Sequence, residues 1–368
     1  MNVKTIELDY FRNYTHLEAK FEPGVNVIYG ENAQGKTNLL EAIAYLSAAR
    51  SHRARFDKEL IMFDINSAFI KSRVNARQRD FTIEATLNRG AGRKLSVNGV
   101  KLKSAADLSG VLTTVLFCPE DLSLIQEGAA ARRRFLDDCL CQLRPKYAAA
   151  LAEYKRLYEH KLRILRDADK KPALKYALNE FNFRMAQAGG VMIHYRALFI
   201  KRLSEYASSI HQDFSGGQEK LSLGYETVST ITDPEASLKD LFNQILDHQE
   251  SVRQAELESR LCLSGPHKDD LVVELDGQSA RQFASQGQTR TAALSLKLGA
   301  REIFFQDLQE YPVLLLDDVL SELDARRQEF VLQRIKGGQV FITCCENDRL
   351  EGLGGAATFR IHGGALVK

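Results

Sequence analysis

The sequence predicts an α/β protein whose nucleotide-binding sheet is interrupted by a long helical insertion. Three observations support this. A glycine-rich loop lies between a β-rich run (residues 25–29) and a helical pattern that starts near Lys36. Apolar residues then recur at intervals of three and four over residues 147–210. Finally, residues 313–316 and 340–343 are continuous apolar runs too short for helices, the pattern of buried parallel strands. The expected order is α/β, helical, α/β, with residues 1–117 and 263–368 forming the two parts of one head and 118–262 forming a mainly helical arm.

Within the first part, residues 3–8 and 25–29 read as strands. Residues 69–74, 81–87 and 94–97 read as a meander with Asn, Gly and charged turns between them. In the arm, Tyr147, Leu151, Tyr154, Tyr158, Leu162 and Leu165 form one helical stripe. A second runs from Leu174 through Met185, Met192, Phe199 and Leu203 to Ile210, with the spacing of a coiled-coil seam. Residues 167–172 separate the stripes, so a helical hairpin is expected, with Gly189 and Gly190 as points where the second helix can bend.

Composition narrows the function classes. With 368 residues and 44% hydrophobic content the chain can bury a sizeable core. Its 50 Lys and Arg against 48 Asp and Glu leave a net charge of +2, so attraction to nucleic acid must be local. The six cysteines contain no C-x-x-C pair and the N-terminus has no leader pattern, which suggests a reduced, cytoplasmic protein. No run approaches the roughly 20 apolar residues of a membrane span, so no membrane role is expected.

Gly30, Glu31, Asn32, Ala33, Gln34, Gly35, Lys36 and Thr37 fit G-x-x-x-x-G-K-[ST], after a strand and before a helix as the chemistry requires. The glycines allow backbone N–H groups to face phosphates, and the helix N-terminus adds partial positive charge. Lys36 is expected to reach the β and γ phosphates of ATP, and Thr37 to ligate Mg²⁺. The buried run at 313–316 ends in Asp317 and Asp318. A phosphate-loop site needs one carboxylate for the Mg²⁺ sphere and often another for water, so Asp317 is assigned to metal and Asp318 to water. Taken alone, the pair could equally end a strand or cap a helix. Ser285, Gln286, Gly287 and Gln288 open a further helix; their hydroxyl and free N–H groups suit an anion, or an ordinary helix cap.

Residues 1–115 hold 17 Lys and Arg against 12 Asp and Glu. Arg50, His52, Arg53 and Arg55 form one cluster. Lys71, Arg73, Arg77 and Arg79 form another, on one face if the segment is extended. Arg50, Arg53, Arg55 and Arg73 are the candidate DNA contacts, salt-dependent and sequence-blind, against the plainer alternative of a solvated face. Arg132, Arg133 and Arg134 suit an intramolecular interface or DNA equally. His267 reads as a packed loop histidine, because no second ligand stands at metal spacing.

Taken together, the motifs and the arm between them resemble ATP-binding-cassette-type ATPase heads of the SMC class, and most closely the RecF family of bacterial DNA replication and repair proteins. The resemblance is carried by Tyr10, Phe11, Arg12, Asn13 and Tyr14; by GENAQGKTNLLEAI from Gly30 to Ile43; by Ser51, His52 and Arg53; by Phe117 with PEDL from Pro119 to Leu122; by RRRFLD from Arg132 to Asp137; by SGPHKDD from Ser264 to Asp270; by Ser285 to Gln288; and by LLDDVLSELD from Leu315 to Asp324. It implies that Arg12, Asn13 and Asn38 join the ATP-binding set. It also implies an ATP-dependent homodimer in which Ser285, Gly287 and Gln288 complete the partner's site, Ser321 and Asp324 cross the interface, and Thr343 acts as a γ-phosphate switch. The partners it implies are duplex, gapped or single-stranded DNA, RecR, and indirectly RecO and RecA, in RecA loading and the SOS response. Slow, DNA-stimulated hydrolysis is expected. Lys268 stands where the family usually has Arg, and Gln126 is only a candidate for the glutamine loop. The alternatives are a transporter ATP-binding subunit, which would call for a full L-S-G-G-Q and a terminal Glu, and a chromosome-organising ATPase, which would call for far longer coiled coils.

Overall fold

The structure, a computed structural model, describes residues 1–168, 173–345 and 355–367. The chain opens with β1 (Asn2–Phe11), β2 (Tyr14–Lys20), β3 (Val25–Tyr29) and α1 (Lys36–Ala48). There follow β4 (Ser67–Ala76), β5 (Arg79–Asn88), β6 (Gly92–Val97), β7 (Val100–Lys101) and β8 (Thr114–Phe117). Next come α2 (Ser123–Gln126), α3 (Ala129–Leu143), α4 (Pro145–Asp167), α5 (Leu174–Ser215), β9 (Leu221–Glu226), α6 (Leu238–Ser251) and α7 (Arg253–Ser259). The last stretch comprises β10 (Asp270–Leu275), β11 (Gln278–Ser279), α8 (Ala280–Phe283), α9 (Gln286–Leu308), β12 (Val313–Asp317), α10 (Ala325–Arg334), β13 (Val340–Cys344), β14 (Ala357–His362) and β15 (Ala365–Val367).

These elements form two compact units, one of Met1–Asp121 with Leu296–Lys368 and one of Leu122–Ser295. The first changeover lies close to the sequence-read 117/118. The second falls inside α9, well beyond 262/263, because β10 and β11 join β9 in a three-stranded sheet of their own, ordered β11-β10-β9. The SGPHKDD segment therefore belongs to the inserted unit.

The first unit holds two six-stranded sheets. One is ordered β2-β1-β4-β5-β6-β7 and is antiparallel throughout; the other is ordered β15-β14-β3-β13-β12-β8, with β14, β3, β13, β12 and β8 parallel. Every residue of β12 and β13 is buried, as their unbroken apolar runs required. Leu39, Leu40 and Ile43 of α1 share a core with Val313, Leu315 and Phe341 below and with Ile6, Leu8, Ile70 and Ile83 of the antiparallel sheet. The extended basic face expected over residues 71–79 is not formed. Lys71 and Arg73 lie on β4, but Arg77 and Gln78 both take left-handed conformations and turn the chain, so Arg79 begins β5 opposite Ala76.

In the second unit, α4 and α5 pack against each other as the two seams predict. The 42-residue α5 runs through Gly189 and Gly190 without a break. A Cβ at Gly189 would stand 3.2 Å from Pro266 Cδ, and one at Gly190 3.5 Å from the Phe242 amide nitrogen, so these glycines serve close packing. The same helix carries Arg196, fully buried, which donates to Asp137 Oδ1 and Asp269 Oδ2 (each 2.8 Å), to the Pro266 carbonyl (2.7 Å) and to the Tyr147 hydroxyl (3.0 Å). Two of the three arginines at 132–134 join the same segment: Arg132 makes a bidentate pair with Asp270 (2.7 and 2.8 Å), and Arg133 donates to the Asp269 carbonyl (2.6 Å).

Candidate nucleotide site

The buried strand β3 delivers the chain to Gly30, and the loop reaches α1 through Gly30 (φ +148°), Ala33 (+62°) and Gly35 (+120°). At Gly35 a Cβ would lie 2.8 Å from Asn13 Nδ2 and 3.0 Å from the Tyr14 hydroxyl, so only glycine fits there. Tyr14 donates to the Gly35 carbonyl (2.9 Å) and Asn13 Nδ2 to the Gln34 carbonyl (2.9 Å), while Asn38 donates to Asn13 Oδ1 (2.8 Å). Asn13 and Asn38 are thus brought to the loop as side chains that shape its backbone.

Lys36 is nearly buried, and its ammonium donates to the carbonyls of Gly30 (2.6 Å) and Glu31 (2.8 Å), folding across its own loop. Thr37 Oγ1 donates to Asp317 Oδ1 (2.9 Å). The parallel register of β12 and β13 sets Asp317 beside Thr343, whose hydroxyl donates to that same oxygen (2.8 Å) and accepts from the Asp318 amide (2.8 Å). Burial pushes the Asp317 carboxyl above its usual range, opposed by the hydrogen bonds from Thr343 and Thr37. Asp318 sits at φ +54°, and its carboxylate accepts from Ser321 Oγ (3.0 Å). Asp324 caps α10, accepting from the Arg327 amide (2.9 Å).

A loop of this form, closed by a threonine–aspartate pair on neighbouring parallel strands, has relatives. The family model described as the RecF/RecN/SMC N terminal domain matches residues 2–361. The DNA replication and repair protein RecF of Bacillus subtilis is 38% identical over 372 residues, covering 100% of both chains. This chain belongs to the RecF family. The solved structure of the recombination mediator protein RecF-ATPrS in the RecFOR pathway superposes with a TM-score of 0.91 at 33% identity, covering 99% of this chain and 97% of that one. An Smc head domain from Pyrococcus furiosus, 16% identical with a TM-score of 0.55 over 99% of this chain and 94% of its own, shares the fold. The architecture is therefore that of RecF and SMC-type ATPase heads.

The remaining RecF-family positions take varied environments. Arg12 makes a bidentate pair with Glu41 (2.8 Å each) and donates to the Glu59 carbonyl (2.9 Å). Burial alone would raise the Glu41 carboxyl, but Arg12 and the Ser51 hydroxyl outweigh it and hold it below its usual range. Arg53 is exposed and donates to Asn38 Oδ1 (3.3 Å), which links it to Asn13 and so to the loop. Arg55 stacks over Phe56, 5.2 Å from the ring centroid. Arg50 lies just past the end of α1, and Arg73 stands in a separate element, on β4. His52 is no cation here: both ring nitrogens are buried without a hydrogen-bond partner, and burial pushes its pKa down to about 4.

In the second unit, Ser285 and Gln288 form a reciprocal capping box at the start of α9. The Ser285 amide donates to Gln288 Oε1 (2.8 Å) and the Gln288 amide to Ser285 Oγ (3.3 Å). Gly287 lies in the first turn, its carbonyl accepting from Thr291 Oγ1 (2.9 Å). Gln126 ends α2. His267 is held between the Tyr154 hydroxyl (2.8 Å) and the Cys262 carbonyl (2.9 Å), as a loop histidine. Sequence reasoning gave no role to Tyr14 or Glu41. The available signal for Glu41 was a carboxylate among the apolar residues Leu39, Leu40 and Ile43 of α1.

Proposed function

We propose that this RecF-family chain is an ATP-dependent DNA-binding protein of recombinational repair and replication, in which nucleotide turnover works as a switch. The observation that carries the reading is the chain of contacts from Thr37 to the Asp317 carboxylate, Thr343 and the Asp318 amide, which ties the phosphate loop to the end of β12 where both aspartates lie. Lys36, now bonded to two loop carbonyls, exchanges them for β and γ phosphate oxygens, which are stronger acceptors. Thr37 Oγ1 and Asp317 are hard oxygen donors 2.9 Å apart around a buried carboxylate, a set that fits Mg²⁺. When bound, the ion would neutralise charge on the phosphates. Asp318 orients the attacking water from the strand's end, and as the shorter carboxylate it supports slow hydrolysis.

By relation to RecF, the chain dimerises on ATP. Ser285, Gly287 and Gln288 of one copy complete the site of the other, Ser321 and Asp324 lie at that interface, and Thr343 reports the γ-phosphate. The dimer binds gapped or duplex DNA through Arg50, Arg53, Arg55 and Arg73, works with RecR and through it RecO, and promotes RecA loading and the SOS response. The test is Lys36→Arg, assayed for nucleotide binding, turnover, and ATP-dependent dimerisation on a gapped duplex by size-exclusion chromatography. Binding is expected to survive better than hydrolysis, and unchanged turnover would sink the assignment. A wild-type protein whose association and DNA affinity ignore ATP would remove the switch.

A further inference from the structure

The phosphate loop is flanked by the last strands of the chain. β14 runs parallel to β3 with Phe359 beside Ile28 and Arg360 beside Tyr29, which brings Ile361 to Gly30. A Cβ at Gly30 would stand 2.3 Å from the Ile361 carbonyl oxygen, so the first glycine of the loop is required by this neighbour as well as by its own φ. At the β14–β15 turn, Gly363 and Gly364 are both left-handed (φ +58° and +73°). The Gly363 amide donates to Gln34 Oε1 (2.6 Å) and the Gly364 amide to the Gln34 carbonyl (3.1 Å). That carbonyl is the one that also accepts from Asn13 Nδ2 (2.9 Å). A Cβ at Gly364 would come within 2.4 Å of the Asn13 carbonyl oxygen.

Gln34 is therefore gripped at both its carbonyl and its side chain, by Asn13 on one hand and the hairpin turn on the other. A glycine-rich loop left to itself samples many conformations, and ordering it on binding reduces affinity. We propose that the Gly363–Gly364 turn is a positioning element for the nucleotide loop, holding Gln34 so that residues 30–36 keep their phosphate-binding shape before nucleotide arrives. This rests on the reading of the loop as an ATP site. Gly364 is needed because the turn must be left-handed and must pass close to Asn13, two demands that no side chain meets together.

The two demands can be separated. Gly99 has the same left-handed backbone (φ +76°), and a Cβ placed on it would meet nothing within 4 Å, so Gly99→Ala carries the strain without the contact. Gly364→Ala carries both, and Gln34→Ala removes the side-chain acceptor without adding an atom. Amide exchange of residues 30–36 in nucleotide-free protein should accelerate in Gly364→Ala and, less, in Gln34→Ala, with β12 and β13 unchanged. ATP affinity should fall about tenfold in Gly364→Ala, the scale of lost preorganisation, and stay at the wild-type value in Gly99→Ala. Wild-type exchange at residues 30–36 in both variants, or acceleration shared equally by β12 and β13, would overturn the proposal. If the wild type binds no ATP while the exchange pattern moves as stated, the nucleotide reading fails and the positioning role stands.

Discussion

Asp269 in the inserted unit and Asp317 in the head are both buried carboxylates, and each accepts from two hydroxyl groups. Asp269 takes Tyr225 and Thr227 (2.7 Å for the latter), and Asp317 takes Thr37 and Thr343. They differ in charge. Asp269 also receives the guanidinium of Arg196, a group that stays protonated in proteins, whereas Asp317 has no ion-pair partner among the described residues. The first centre is completed by the chain itself and fixes the SGPHKDD segment against α5. The second has no cation of its own among the described residues, and sits where the phosphate loop ends. A buried carboxylate without its cation costs stability, which supports the proposed reading of Asp317 as a ligand site, while the similarly buried Asp269 is paired within the fold.

The contrast is broken most directly by removing the charged groups one at a time. Arg196→Met should be the most damaging change to stability, because it strands Asp137 and Asp269 in the interior. A loss of about 3–5 kcal/mol is expected from chemical denaturation, and a loss below about 1 kcal/mol would mean that the network is not a completed ion pair. Asp317→Asn should do the opposite. Removing an unpaired buried charge is expected to leave stability within about 1 kcal/mol of wild type, while ATP hydrolysis falls on the order of 100-fold through loss of the proposed Mg²⁺-site carboxylate. If Asp317→Asn unfolds the head, Asp317 is structural and the difference between the two centres disappears.

The two centres were unequally legible in the sequence. The head's site follows from local rules: a turn that needs glycine, a helix N-terminus that needs an anion, and an apolar strand whose carboxylates sit at its end. The Asp317 site joins residues 280 apart, yet each half carries its own signature. The Asp269 centre has only the family likeness of its segments, and no local rule that pairs them. Arg196 lies in the apolar stripe of α5, near Met192 and Phe199, and its partners are 59 and 73 residues away on segments with no pattern in common. A charged residue on a buried helical stripe is the one hint available, and it does not say with what it pairs. The boundary at 262/263 missed for a related reason. β10 looks like any alternating strand, and only its pairing with β9 assigns it to the inserted unit. The expected basic face over residues 71–79 failed at Arg77 and Gln78, where two left-handed residues make a turn that composition does not announce.

The smallest effect expected is a pH dependence that separates the completed centre from the open one. His267 lies two residues from Asp269 and is held neutral: it accepts from Tyr154 at Nδ1 and donates to the Cys262 carbonyl from Nε2. Burial, opposed by the Cys262 carbonyl and helped by the nearby charges of Lys268, Lys161 and Arg133, moves its pKa from 6.5 to about 4. Between those values the unfolded chain binds a proton that the folded chain refuses. Stability is therefore full above pH 6.5 and declines as pH falls toward 4, by at most about 2–3 kcal/mol for this group. His267→Gln keeps a donor and an acceptor but cannot titrate, so its unfolding free energy should fall less steeply than that of the wild type between pH 6.5 and 4. His52 in the head, with its pKa also near 4, contributes to the slope that remains, as do His211 and His248, whose pKa values burial also lowers. If His267→Gln and wild type keep parallel pH profiles, the histidine is protonated in the fold. A second cation would then stand with Arg196 against Asp137 and Asp269, so that two positive charges, in place of one, would face the two carboxylates.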